Sequence, residues 1–86
     1  MKFAGTKITQ ESILKAREWF ADNLQSQIDE VNDGTVNLPS HIVFEEYQAS
    51  KMADKAAALA GEYDHTFTFM QKAHYIQTGE SVALLP

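Results

Sequence analysis

The sequence predicts an all-α protein, a compact three-helix domain spanning positions 1–86. Three observations predict it. Apolar residues recur in long stretches at steps of three and four, the period of an amphipathic helix. Each stretch ends at a glycine or a turn cluster and begins at a residue able to cap a helix. The connections left between the stretches are short, as in small helical bundles.

The first helix covers about 10–31. Ile13, Ala16, Phe20, Leu24, Ile28 and Val31 are spaced by 3, 4, 4, 4 and 3 residues. Thr9 is placed to cap it, and Glu11 stands near the positive end of the helix dipole. Asn32, Asp33 and Gly34 stop it. A loop follows, in which Pro39 forces extended backbone on Leu38.

The second helix covers about 41–60, with Ser40 as its cap. His41 to Phe44 is rich enough in β-formers to read as a short strand instead. Ile42, Glu45, Ala49, Met52, Ala56, Leu59 and Tyr63 follow a seven-residue alternation, which places them in an a/d seam facing the core. Ala49, Ala53, Ala56 and Ala60 let another helix approach closely. The third helix, about 65–78, starts from Asp64 as cap and ends at Gly79, burying Phe69, Ala73 and Ile76 with Met70 beside them. Gly61 ends the second helix in the left-handed conformation. So few residues separate helices two and three that the two are expected to form an antiparallel hairpin. The core is then Ile13, Phe20, Leu24, Ile28, Met52, Leu59, Phe69 and Ile76. Val82, Leu84 and Leu85 belong to an apolar tail expected to fold back on the bundle. A domain of this size has thin stability. A homodimer through the alanine side of helix two would add burial.

Composition narrows the functional classes. Seven Lys and Arg stand against twelve Asp and Glu, a formal net charge of −5, so a basic face for a phosphate backbone is not expected. Direct nucleic-acid binding ranks last among the readings. There is no cysteine, which removes disulfides, thiolate metal sites and cysteine nucleophiles. No apolar run suits a secretory signal or a membrane span; the expected location is the cytoplasm.

Catalytic and metal chemistry find little footing. Ser12, Ser26, Ser40, Ser50 and Ser81 lack the context of an activated nucleophile, and four glycines form no phosphate loop. Glu62 and His65 have a Glu-x-x-His spacing, but it straddles the break between helices two and three, and a di-metal bundle needs two such motifs. His41 with Glu45 lacks further ligands, and His74 near Phe67 and Met70 reads as a core-edge histidine. The expectation is a protein without enzymatic activity, cofactor or metal.

What remains is recognition. Glu11, Glu18, Asp22 and Asp29 fall within about 40° of one another on the first helix at ~100° per residue. This acidic ridge is either a solvated outer face or a surface that steers a basic partner, such as a nucleic-acid-binding protein. Trp19, Tyr47 and Tyr75 are the candidate aromatic anchors; at the rim of a bundle, aromatics also simply cover the core. Arg17 falls in the middle of the apolar stripe. Its stem packs while the guanidinium either snorkels to the edge or pairs with Glu45; alternatively it faces a subunit partner or, with Lys51 and Lys55, an anionic ligand in an oligomer, such as a sponge for a nucleotide signal. A structural role in a virion or its assembly is the third reading.

Phe69, Met70, Gln71, Ala73, Tyr75, Gln77, Thr78, Gly79 and the closing Val82-Ala83-Leu84-Leu85-Pro86 resemble small acidic orphan accessory proteins of bacteriophages. The likeness covers the last quarter of the chain and its overall style, and carries no functional residue over. It implies a protein that binds a host protein and inhibits or redirects it, in anti-defence or host takeover, inside the host cell.

Overall fold

The structure, a computed structural model, describes residues 2–82. It is mostly helical. β1 (Lys2–Phe3) and β2 (Thr6–Lys7) form a small antiparallel hairpin, followed by α1 (Gln10–Asn32), α2 (Phe44–Leu59) and α3 (Phe67–Thr78).

The hairpin adds an element that the helical period could not reveal. Its two-residue turn, Ala4-Gly5, has positive φ at both positions (51° and 79°), the twist that tight antiparallel connections prefer. Phe3 then packs against Phe67 of α3, with ring centroids 5.2 Å apart and the rings tilted by 55°.

α1 begins as expected: the Thr9 hydroxyl accepts the Ser12 N–H at 3.2 Å. At its other end Asp33 closes a turn, its carboxylate accepting both the backbone N–H (2.9 Å) and the hydroxyl (2.6 Å) of Thr35. α2 starts later than its pattern implied. Ser40 does not cap it; the N-cap is Val43, without a side-chain bond, and His41–Val43 is neither helix nor strand. Glu45 and Glu46 in the first turn favour this start through the helix dipole. α3 is capped by Thr66, whose hydroxyl accepts from Phe69 N–H at 3.2 Å, and not by Asp64. Gly61 and Gly79 follow α2 and α3 with φ of 84° and 77°.

α1 is the common partner of the other two helices. Along it, Gln77 of α3 bonds to Thr9, Phe20 stacks on Phe69, Arg17 meets Asp64, and Gln25 meets Lys55. The last turn of α3 thus returns to the start of α1, while Lys55 of α2 meets its second half. α2 and α3 each pack against α1. The unit is therefore thin and long. Its radius of gyration is 15.2 Å, against roughly 12 Å for a rounded chain of this length, and its extents are 46 × 29 × 19 Å.

The core sits at the α1–α3 end, where Ile8, Ile13, Ala16, Phe69 and Ala73 are buried and Phe3, Phe20 and Ile76 pack against them. Ile28, Ala21 and Ala58 are buried further along. Met52 and Leu59, expected in the core, are 45% and 47% exposed. α2 instead turns Phe44, Tyr47, Lys51, Asp54, Lys55 and Ala58 towards the rest of the protein. Two rings and two lysine stems give that packed face its apolar area. The expectation for the apolar tail lies, from position 83 on, outside the described residues.

Candidate functional site

The feature that concentrates exposed, chemically distinctive side chains lies where α1 and α3 meet. Phe69, 2% exposed, anchors it by stacking on Phe20 at 5.8 Å and 22°. Phe20 in turn meets Trp19 edge-on at 4.9 Å. Trp19 stands at the rim, 41% exposed, and Tyr75 of α3 lines the same groove, 46% exposed. Between them lies Lys72, whose Nζ is 4.1 Å from the Trp19 ring centroid and 5.2 Å from that of Tyr75. Cation–π attraction to two rings holds the ammonium in place and orders all three side chains. Together with Thr68, Gln71 and Ser81 they line an open groove of about 510 Å³, mostly apolar.

A second groove of about 390 Å³ lies on the other side of Phe20, reaching Leu24, Ala58 and Tyr63. There the Tyr63 hydroxyl donates to Asp54 at 3.4 Å. Its ionisation is pushed up, first by partial desolvation and then by the adjoining Asp54 charge.

The acidic ridge is exposed at all four positions, Glu11, Glu18, Asp22 and Asp29. Its outer members have local partners: Lys15 lies 3.2 Å from Glu11, and Gln25 donates to Asp29 at 3.0 Å. Glu18 and Asp22, which flank Trp19 and the groove in sequence, carry the centre of the charge.

Of the three expected anchors, the structure brings Trp19 and Tyr75 together and leaves Tyr47 out. Tyr47 is half-buried on the packed face of α2, with the Lys51 ammonium 5.5 Å from its ring. The three cations of the anionic-ligand reading do not converge. Lys51 lies over Tyr47, and Lys55 donates to Gln25 at 3.0 Å. Arg17 donates from Nη2 and Nε to Asp64, at 2.6 and 3.2 Å. The hydrogen bond to Asp64 raises the guanidinium pKa further. Arg17 does not pair with Glu45, which stands on the exposed face of α2. The true partner was hidden because Asp64 looked like a helix cap, whereas Thr66 takes that role two residues later.

His41 and His65 are exposed, and His74 is buried under Phe3 with Nδ1 3.2 Å from the Glu80 carbonyl oxygen. Among the described residues no three His, Asp or Glu side chains gather as a metal cage would require. No helix there is long and apolar enough to cross a membrane.

Sequence reasoning placed Trp19 and Tyr75 at the surface but missed Lys72, which links them. The signal was available: Lys72 and Tyr75 are three apart on α3, hence neighbours on its surface. Comparison with protein-family models, curated proteins and solved structures returns no match to this chain.

Proposed function

We propose that the protein acts by stoichiometric, non-enzymatic binding to another protein, with the Trp19–Lys72–Tyr75 groove as the contact centre and the acidic ridge as the steering surface. One observation carries this reading. Two large aromatic side chains from different helices, each more than 40% exposed, line one apolar groove with the Lys72 ammonium close to both rings. Ordered, half-exposed aromatics bind at low entropic cost and dominate interface energies. Glu18 and Asp22 beside them favour a basic partner and speed its approach. The resemblance to phage accessory proteins makes a host protein with a basic nucleic-acid-binding surface the partner of choice, and the host cytoplasm the place of action.

The test is direct because Trp19 is the only tryptophan, so its fluorescence reports on the groove. Proteins captured from a bacterial lysate by the wild-type chain are titrated against it. Trp19 emission should shift on binding. Tyr75→Ala should weaken association about tenfold or more, while Glu18→Lys with Asp22→Lys should slow association and flatten its salt dependence. A captured protein that leaves Trp19 emission unmoved and binds both variants as tightly as wild type removes the reading.

A further inference from the structure

The second groove, beyond Phe20, takes no part in the proposed protein contact. All three helices and the turn between α2 and α3 contribute to its lining. Its deepest residues are apolar: Phe69 and Ala58 are buried, and Phe20 stacks on Phe69. Leu24 and the Tyr63 ring extend that surface, and Asp54 is the one charged side chain among the described residues of the lining. About 390 Å³ suits a molecule of one or two rings. We propose that this groove binds a small aromatic amine, with its ring against Phe20, Phe69 and Leu24 and its ammonium on Asp54.

The polar groups left open around the groove decide the sign of the ligand. Tyr63 donates to Oδ1 of Asp54 at 3.4 Å, and among the described residues no donor meets the other carboxylate oxygen. The cations nearest to Asp54 in sequence are engaged elsewhere: Lys51 lies over the Tyr47 ring, and Lys55 donates to Gln25. Asn23 points its amide nitrogen at the Trp19 carbonyl, 3.1 Å away, which leaves its own carbonyl oxygen as an open acceptor. The Thr66 hydroxyl is occupied in both senses, donating to the Tyr63 carbonyl and accepting from the Phe69 N–H. A primary ammonium, with three donors and no acceptor, complements this set. An anion would meet the Asp54 charge with no cation to offset it, and a neutral ring would desolvate the carboxylate without compensation. Depth favours a free molecule over a partner's side chain. Asp54 is half-buried while Phe69 and Ala58 are sealed, so the charge lies nearer the mouth than the floor. A lysine from a partner enters tip first and carries its ammonium to the apolar floor; an aromatic amine enters ring first and leaves its ammonium beside Asp54.

Heteronuclear NMR of the full chain, with phenethylamine as probe, tests this. Resonances of Leu24, Ala58 and Tyr63 should shift saturably with a dissociation constant of about 1–10 mM, the range open to so small a fragment. Phenylethanol keeps the ring and loses the charge, and ethylamine keeps the charge and loses the ring; each should bind about fivefold more weakly or worse. Asp54→Asn should reduce phenethylamine to the level of phenylethanol and leave phenylethanol where it was. No saturable shift up to about 20 mM phenethylamine, or equal binding of phenethylamine and phenylethanol by the wild-type chain, overturns the proposal. So does an Asp54→Asn variant that binds phenethylamine as tightly as wild type. Shifts centred on Trp19 and Tyr75 instead assign the amine to the other groove and overturn it as well. None of these outcomes bears on the protein contact proposed above, which is read at Trp19 with Tyr75 and the acidic ridge.

Discussion

The two ends of α1 are packed in different ways. Its N-terminal half lies against α3 and the hairpin through Ile13, Ala16, Phe20, Phe69 and Ala73, an apolar and largely sealed contact. Its C-terminal half lies against α2 through lysine stems, Tyr47, Phe44 and the bond from Lys55 to Gln25, while Met52 and Leu59 of α2 stay exposed. One helix therefore serves two purposes. Where it meets α3 the hydrophobic effect is spent inside the fold; where it meets α2 much apolar surface is left for use outside it.

The sharpest way to break this contrast is to truncate a large side chain at each end. Phe69→Ala should cost about 3–5 kcal/mol, as full truncation of a buried ring does, and threaten folding in so small a domain. Leu59→Ala should cost the monomer under about 1 kcal/mol, as expected of a half-exposed position. Urea denaturation at low micromolar concentration checks both. Equal losses would mean that the two halves are not packed differently after all.

A second contrast concerns the glycines that follow α1 and α2. Gly34 and Gly61 share the same backbone conformation, φ 84°. A Cβ on Gly34 would meet nothing within 4 Å, whereas one on Gly61 would lie 2.6 Å from Nη2 of Arg17. Gly34→Ala should cost roughly 1–2 kcal/mol, the strain of a left-handed alanine. Gly61→Ala should exceed it by about 1 kcal/mol or more, because Arg17 must leave a charge-assisted bond to Asp64. Thermal unfolding of the two variants side by side measures the difference.

The smallest effect is a pH dependence confined to the α1–α2 turn. The two hydrogen bonds from Thr35 lower the Asp33 pKa in the folded state. A carboxylate depressed on folding contributes stability that is complete above its unfolded pKa near 3.9 and lost as pH falls through the folded value. Asp33→Asn should leave stability flatter with pH below about 4, by a slight margin because the turn is exposed. Denaturation curves at pH 5 and pH 3 compare the slopes.

The helices were legible in the sequence because periodicity and caps act locally: Thr9, Gly61 and Gly79 all do what their chemistry implies. The orientation of α2 was not. Its alanine seam and its aromatic-plus-lysine face are both amphipathic solutions, and only the stems of Lys51 and Lys55, counted as polar in any pattern, decide between them. The arrangement of α2 and α3 was hidden for a similar reason. A short connection implies adjacency, but Arg17 reaching Asp64 joins positions 47 apart and has no local signature. At the groove, Trp19 and Tyr75 could each be placed on a rim; that they share one rim required knowing that α3, and not α2, covers the first half of α1.

Gln77 has a consequence for how the chain acquires its shape. It accepts the Thr9 N–H at 2.8 Å and donates to the Lys7 carbonyl at 2.9 Å, latching positions 68 and 70 residues apart. On the ribosome the hairpin emerges early yet finds its dock only once the last turn of α3 has been made. An α1–α2 pair can assemble well before then, so a nascent chain passes through a stage in which the outward seam of α2 is already displayed while Phe3, Phe20 and Ile13 still lack their cover. Slow translation of the final third, or truncation before Gln77, should therefore favour chaperone capture over native closure.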